Sequence, residues 1–221
     1  MKTKLSAVWL AISAGVLCIN GFIDGVSAHL DLKTNSNAVS IEDSASIISQ
    51  STRSEAEIWS LLQQGTGYVV LIRHALAPGT GDPSNFQLDD CSTQRNLSDT
   101  GRAQAVRIGE AFESRQIPIA QVLSSQWCRC LETARLMDVG SIEPLPALNS
   151  TFYDPSAETE RTDRIRELII DNRNTPGTVV MVTHASNISA IAGTSVQSGG
   201  IVVLQADESE QINFIGQIEA F

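Results

Sequence analysis

Past its N-terminal segment this 221-residue chain has no second apolar run long enough to cross a bilayer, no internal repeat, and three histidines in all. It is also short of cations, with 15 Lys and Arg against 25 Asp and Glu, a net charge of −10. An acidic balance of that size repels nucleic acid and anionic membrane surfaces, so neither is expected as a partner. Any anionic substrate would need positive charge gathered locally, which makes the place of each arginine informative. The length suits one domain with room for a real core.

The one long apolar run reads as an export signal rather than as structure. Lys2 and Lys4 precede Leu5 to Ile23, and "VSA" at Val26 to Ala28 gives the small-x-small pattern that a signal peptidase cuts. The alternative is an N-terminal membrane anchor, since the run is near the lower length limit for spanning. Asn20, Gly21 and Asp24 count against it, and "GVLC" before Cys18 lacks the small residues of a lipoprotein signal. The expected product is periplasmic or secreted, free of the membrane after cleavage. Loss of residues 1–28 removes two lysines and one aspartate, leaving 13 cations, 24 anions and a net charge of −11.

Of four cysteines, Cys91, Cys128 and Cys130 survive that cleavage. An oxidising compartment favours pairing, and an odd number leaves one thiol over. Cys128 and Cys130 are too close for an easy bridge within one helical turn, so Cys91 with Cys128 is the expected pair. Three buried free thiols are the alternative.

Residues 29–54 are rich in Ser, Asn and Asp without sustained periodicity, and read as a flexible tether between the cleavage site and a domain at 55–221. From residue 55 strand and helix signals alternate. "EAEIWSLLQQG" puts Ile58, Trp59, Leu61 and Leu62 on one helical face and stops at Gly65. "YVVLI" is a short apolar strand of the kind buried on both faces. Ser98 opens a helix, "AQVLSS" is a second strand and "CRCLETARLM" a second long helix. "SIEPLPAL" is extended and broken by two prolines, "AETERTDRIRELIIDNR" is helical, and "GTVVMVT" is a strand followed by the short helix "ASNISAIAG". "GGIVVLQ" and "QINFIGQI" alternate as a closing hairpin. The order predicts an α/β three-layer sandwich with a mostly parallel central sheet and an antiparallel edge. In such sheets ligands bind beyond the carboxyl ends of the strands.

Those ends carry polar residues that a core would not choose. The first strand ends in Arg73-His74, the second in Ser124-Ser125 with Arg129 one helical turn on, and "GTVVMVT" in His184. A lone histidine at a strand end is ordinarily a hydrogen-bonded core residue, and a lone arginine a surface one. Two of each on one edge of one sheet point instead to phosphoryl chemistry. Neutral imidazole is a nucleophile able to hold a covalent intermediate. The transferred group spreads charge over three oxygens, which arginine meets with fixed, permanently charged donors. A second histidine, if protonated, would add a donor. No carboxylate or cysteine stands at ligand spacing from either histidine, and arginines beside them would repel a cation, so no metal and no cofactor are expected.

At these residues the chain resembles the histidine phosphatase superfamily, which includes the phosphoglycerate mutases. "LIRHA" is similar to its Arg-His-Gly signature, "RNLSDTGRAQA" to its Leu-Ser/Thr-x-x-Gly helix start, "VLSSQWCRCLETA" to its Ser-x-x-x-Arg-x-x-x-Thr-Ala segment, and "VVMVTHASNI" to its second-histidine strand. The four segments stand in family order across most of residues 55–221. The resemblance implies a phosphoglycerate mutase-like fold, with His74 as the phosphorylated nucleophile, Arg73 and Arg129 as the phosphate clamp, and His184 as the second pocket histidine. It also places Arg95 near the pocket mouth, and Asn187 could lend a donor to the ligand.

Two departures from the family pattern stand out. Ala75 occupies the place of the usual glycine, a modest change if the backbone angles are ordinary. Ser150 in "ALNSTFYD" stands where the mutase-related branch has its acid. A leaving alkoxide needs a proton, so Asp154 is the first candidate donor and Glu158 the second, although Glu158 also suits a first helical turn. The branch with an acid directly after the second histidine is excluded because Ala185 follows His184, and the chain lacks the inserted lid of acid phosphatases and phytases.

The expected function is an exported, metal-independent phosphomonoesterase acting on a small phosphorylated substrate through a phosphohistidine on His74. The alternatives are a non-catalytic binder of phosphorylated ligands with a decayed site, and a phosphoglycerate-type mutase, against which export argues. The loop at residues 76–92, with Asp82, Asp89 and Asp90, is acidic and would disfavour highly anionic substrates. Nothing in the sequence sets an oligomeric state. Secretion of the full chain from a bacterial host should yield a mature protein beginning at His29, as read by intact-mass and N-terminal sequencing. An N-terminus at Met1 in the membrane fraction would mean an anchor instead.

Overall fold

The structure, a computed structural model, describes residues 53–152 and 154–221. The signal peptide expected at 1–28 and residues 29–52 of the tether lie outside the described residues. Ser54 caps helix α1 (Glu55–Gln64) in a reciprocal capping box with Glu57, and Arg53 Nη1 donates to the carbonyl of Ile215. Gly65, in the left-handed conformation, closes that helix.

Strand β1 (Tyr68–Arg73) leads through a long connection to α2 (Asp99–Ser114), followed by β2 (Ile119–Ser124), α3 (Cys128–Met137) and β3 (Ile142–Pro144). Helix α4 (Glu158–Asp171), β4 (Thr178–Thr183), α5 (Ala185–Ala192) and the hairpin β5 (Ile201–Ala206) and β6 (Ile212–Ile218) complete the chain. The sheet order is β3-β2-β4-β1-β5-β6. The first four strands run parallel, and β5 and β6 form the antiparallel edge, as expected from the sequence.

β1 and β4 at the centre of the sheet are buried on both faces, which is why "YVVLI" shows no alternation. Val70 and Ile72 face α1, α2 and α3 in a cluster with Ile58, Ile108 and Phe112. Val69 and Leu71 face the opposite layer, with Ile165, Ile169 and Ile188 from α4 and α5. The three layers of the expected sandwich are these two helical sets and the sheet between them.

Register then positions the site. β1 and β4 pair from Tyr68 with Thr178 through Arg73 with Thr183, so the next residue of each strand, His74 and His184, emerges at the same level. The His74 amide donates to the Thr183 carbonyl at 3.0 Å, and β2 delivers Ser125 alongside, its amide donating to Val182 at 2.9 Å. The chain after His74 is fixed by close approach to α2. Leu76 receives the Ser98 amide on its carbonyl and gives its own amide to Gln104. A side chain at Gly101 would place its Cβ 2.0 Å from that same Leu76 carbonyl oxygen.

Gly101→Ala should therefore push the first turn of α2 away from the segment behind His74. The expected cost is about 2 kcal/mol of stability by urea denaturation, together with weakened phosphate binding. Unchanged stability and binding would show that the close approach is not needed.

Candidate functional site

His74, His184, Arg73, Arg95 and Arg129 line one cavity of about 210 Å³ beyond the carboxyl ends of β1, β4 and β2. Gly79, Thr80 and Gly81 form one wall, and Ser150, Phe152, Ala185 and Ser186 complete the lining. Five residues singled out by the sequence are thus brought together from four separate segments. Three guanidinium groups converge here in an otherwise acidic protein, so the cavity is suited to an anion.

His74 is almost fully buried, and its Nδ1 lies 2.8 Å from the Ala75 carbonyl. A carbonyl only accepts, so Nδ1 carries the ring proton and Nε2 keeps its lone pair. Burial, then the nearby Arg129 charge, lowers the His74 pKa from 6.5 to about 3, partly opposed by the Ala75 hydrogen bond. The ring is therefore neutral at physiological pH, the state a nucleophile needs. Ala75 is fully buried beside Ala77, Leu97 and Ala105, and its backbone is not left-handed, so the missing glycine causes no strain. Its amide donates to Thr133 Oγ1 at 3.0 Å, and that hydroxyl bonds the Arg129 carbonyl at 2.7 Å. Thr133 so ties the neighbour of His74 to the helix that carries Arg129.

The His184 ring centroid is 5.5 Å from that of His74. Burial, then its proximity to His74 and Arg129, holds its pKa well below the usual imidazole value. Arg129 Nη2, which can only donate, lies 3.5 Å from Nδ1, which places the ring proton on Nε2. Nε2–H then donates to Ser125 Oγ at 2.9 Å, and Ser125 donates to Asn149 Oδ1 at 3.2 Å. Cys130, the free cysteine among the described residues, is buried behind this ring with Sγ 3.5 Å from Nε2. Burial pushes its pKa up to about 12, so it is an inert packing group.

Arg129 is held by Asp82 through an ion pair of 2.8 Å in which both side chains are almost wholly buried. Burial alone would raise the Asp82 pKa. Hydrogen bonds from the Arg95 amide, Arg129 and the Trp127 indole outweigh it and hold the carboxyl below its ordinary value. Asp82 is thus the partner of Arg129 rather than a repulsive surface charge, which removes it from the acidic residues expected to disfavour highly anionic substrates. Asp89 and Asp90 are exposed and do not line the cavity, and Asp90 caps a short 3-10 turn at Cys91–Thr93. Arg95 bonds the carbonyls of Gly81 and Ala77, and Arg73 Nη1 bonds that of Val196 at 2.9 Å.

The loop is pinned in turn to the start of α3. A disulfide joins Cys91 to Cys128, Phe86 stacks on Trp127 with centroids 5.0 Å apart, and Gln94 accepts the Cys128 amide. The pairing is the one the cysteine spacing favoured.

Three sequence candidates are not brought to the cavity. Asp154 is half exposed and turns to Arg161 and Ser156, with the Arg161 contact at 3.4 Å. Glu158 opens α4 as an exposed first-turn carboxylate, consistent with its helix-terminal alternative. Asn187 is buried but donates to the Leu148 and Asn149 carbonyls and to Thr183, pinning α5 to the sheet instead of reaching a ligand. Among the described residues no carboxylate lines the cavity. Nor do any three of His, Cys, Asp and Glu cluster there as metal ligands would.

Sequence reading missed Asp82 as the arginine's partner, the Ser125–Asn149 relay behind His184, and Phe152 at the rim. Ser125 and Thr133 stand in the segment that resembles the family pattern, so a signal for them existed. Asp82 and Phe152 had none, since their roles depend on where two loops fold.

The arrangement defines an α/β protein with a buried neutral histidine set among arginines at a parallel sheet edge. Residues 69–168 match the histidine phosphatase superfamily (branch 1). Over that segment the chain is similar to the superfamily, and its fold is phosphoglycerate mutase-like. His184 lies beyond the matched segment and joins the site through the β1–β4 register.

Solved structures of similar fold include the protein histidine phosphatase SixA complexed with tungstate, 17% identical over 69% of this chain and 96% of that one, TM-score 0.52. A mycobacterial glucosyl-3-phosphoglycerate phosphatase complexed with VO3 is 16% identical over 70% and 99%, TM-score 0.51. A phosphoserine phosphatase from Entamoeba histolytica in complex with 3-phosphoglyceric acid is 13% identical over 69% and 97%, TM-score 0.51. No curated protein sequence matches the chain.

Because both buried histidines have lowered pKa values, the unfolded chain takes up their protons near pH 6.5 while the folded chain does not. Stability is therefore full above pH 6.5 and falls as pH drops toward about 3. The thermal midpoint should begin to fall at about pH 6.5, before the carboxylates titrate, and His74→Asn should reduce that early fall. A midpoint flat from pH 7 to pH 5 would contradict the buried neutral pair.

Proposed function

We propose that the protein is a phosphatase that cleaves a small phosphate ester through a phosphohistidine on His74, without a metal, and that it works after export. The observation that carries this reading is His74 itself, buried, neutral and with Nε2 unprotonated, in a cavity lined by Arg73, Arg95 and Arg129. The Nε–H groups of Arg73 and Arg129 are buried with no hydrogen-bond partner among the described residues. Buried donors are ordinarily satisfied, and a phosphoryl group in the cavity would satisfy them.

In this reading the arginines hold the phosphoryl oxygens while His74 Nε2 attacks phosphorus and the ester oxygen leaves with its bonding pair. Water then attacks the phosphohistidine, the P–N bond breaks, and its pair returns to Nε2. His184 starts neutral. A phosphoryl dianion brought against it would raise its pKa and favour the protonated, donating form. The guanidinium groups supply the fixed positive charge that a metal ion supplies elsewhere. That three similar folds come from proteins named as phosphatases supports the same class of reaction, and the 3-phosphoglyceric acid bound by one of them favours a small phosphorylated substrate.

His74→Ala should reduce hydrolysis of a generic aryl phosphate by about 10³-fold or more, with the circular dichroism spectrum retained and no effect of chelator on the wild type. Full turnover in the variant would reject the covalent route. Phosphate binding without turnover by the wild type across a panel of esters would favour the binding-protein alternative.

A further inference from the structure

The mouth of the cavity is built from the turn at residues 150–152. Ser150, in the place where the family resemblance calls for an acid, is buried, and its hydroxyl accepts the Phe152 amide at 3.3 Å. Arg161 Nη1 holds the Ser150 carbonyl at 2.9 Å and its Nη2 engages Asp154, drawing that carboxylate away from the cavity. Phe152 lines the cavity yet is 60% exposed, more than any other large hydrophobic side chain among the described residues.

Two consequences follow for the leaving group. A positioned acid contributes roughly 10²- to 10⁴-fold to such a step, and among the described residues no carboxylate lines the cavity while His184 Nε2–H is directed to Ser125. An alkoxide, whose conjugate acid has a pKa of about 15 to 16, would leave poorly. A phenolate, with a pKa of about 10, needs no full proton transfer in the transition state. Independently, an aromatic ring at the rim of an anion-binding cavity is a stacking surface for a flat apolar group attached to the phosphate.

We infer that the preferred substrates are phosphate monoesters of phenols, with Phe152 as the residue that selects the aryl group. This rests on the phosphatase reading above. His74 Nε2 forms the P–N bond as the aryl C–O–P linkage loses its O–P bond, and the phenolate departs with the electron pair and takes its proton from water. A second water then attacks phosphorus, releasing inorganic phosphate and a proton. The aryl group would come either from a small phenol ester or from a phosphotyrosyl side chain, which present the same chemistry to the ring.

The test compares phenyl phosphate, a phosphotyrosyl peptide and ethyl phosphate as substrates of the full exported protein and of Phe152→Ala. The wild type should prefer the better aryl ester over ethyl phosphate by about 100-fold or more in kcat/KM. The aryl-to-alkyl ratio should fall by roughly 3- to 10-fold in Phe152→Ala, mainly through KM, while inhibition by orthovanadate, which carries no leaving group, changes less. Faster turnover of the peptide or of phenyl phosphate identifies the source of the aryl group. Equal rates on ethyl and phenyl phosphate, or an unchanged ratio in Phe152→Ala, would overturn the inference while leaving the phosphatase reading intact. Calorimetric binding to His74→Asn separates the two further. Phenyl phosphate should bind more tightly than inorganic phosphate in a Phe152-dependent way even if no ester is turned over, and equal binding would overturn the inference there too.

Discussion

The buried ion pair between Arg129 and Asp82 holds the site in its working form. Its side chains are 3% and 1% exposed. Removing one partner from such a pair strands a buried charge, at a cost of about 3 to 5 kcal/mol. The geometry of everything around it follows from where that guanidinium is held. With Nη1 on Asp82, Nη2 faces His184 Nδ1, which fixes the ring's tautomer and directs Nε2–H to Ser125 and on to Asn149. The same helix offers Thr133 to the amide of Ala75, which fixes the segment after His74 to the helix that carries Arg129. Asp82 also tempers the cavity's charge, since one of three converging cations is already paired.

Asp82 reaches Arg129 only because its loop is fastened to the start of α3. Ordering a long, polar connection costs about 1 to 2 kcal/mol per residue in backbone entropy. The Phe86–Trp127 stack, the Gln94 hydrogen bonds and the Cys91–Cys128 bridge all fall on that one contact. In the chain-entropy picture, a bridge across a sequence separation of 37 restricts the unfolded chain by about 4 kcal/mol. In the export proposed above, an oxidising compartment would keep closed the disulfide that helps fasten the Asp82 loop beside Arg129.

The elements were largely legible in the chain because their signals are local. Continuous apolar runs marked β1 and β4, Ser98 and Gly65 marked helix ends, and alternation marked the β5–β6 hairpin. The polar residues at strand ends were legible for the same reason, since Arg73-His74 and His184 each break an apolar run. Asp154 and Glu158 were not brought to the cavity because both stand in a connection well past the end of β3 at Pro144, where a carboxylate can turn either way. Here Arg161 and the first turn of α4 captured them. Asn187 looked like a ligand donor, but three nearby acceptors in the sheet layer claim its amide.

The sequence by itself determined the order of strands and helices and the histidines and arginines that stand at strand ends, and it favoured Cys91 with Cys128 over three free thiols without deciding between them. These follow from hydrophobic period, chain direction and residue chemistry, which need no neighbour in space. Tertiary structure decided which charges meet. Asp82 faces Arg129 rather than solvent, His74 and His184 stand level because β1 and β4 pair in that register, and Phe152 comes to the cavity rim where a carboxylate was expected. Electrostatics and burial act through distance in space, and that distance is set only when the loops close on the sheet.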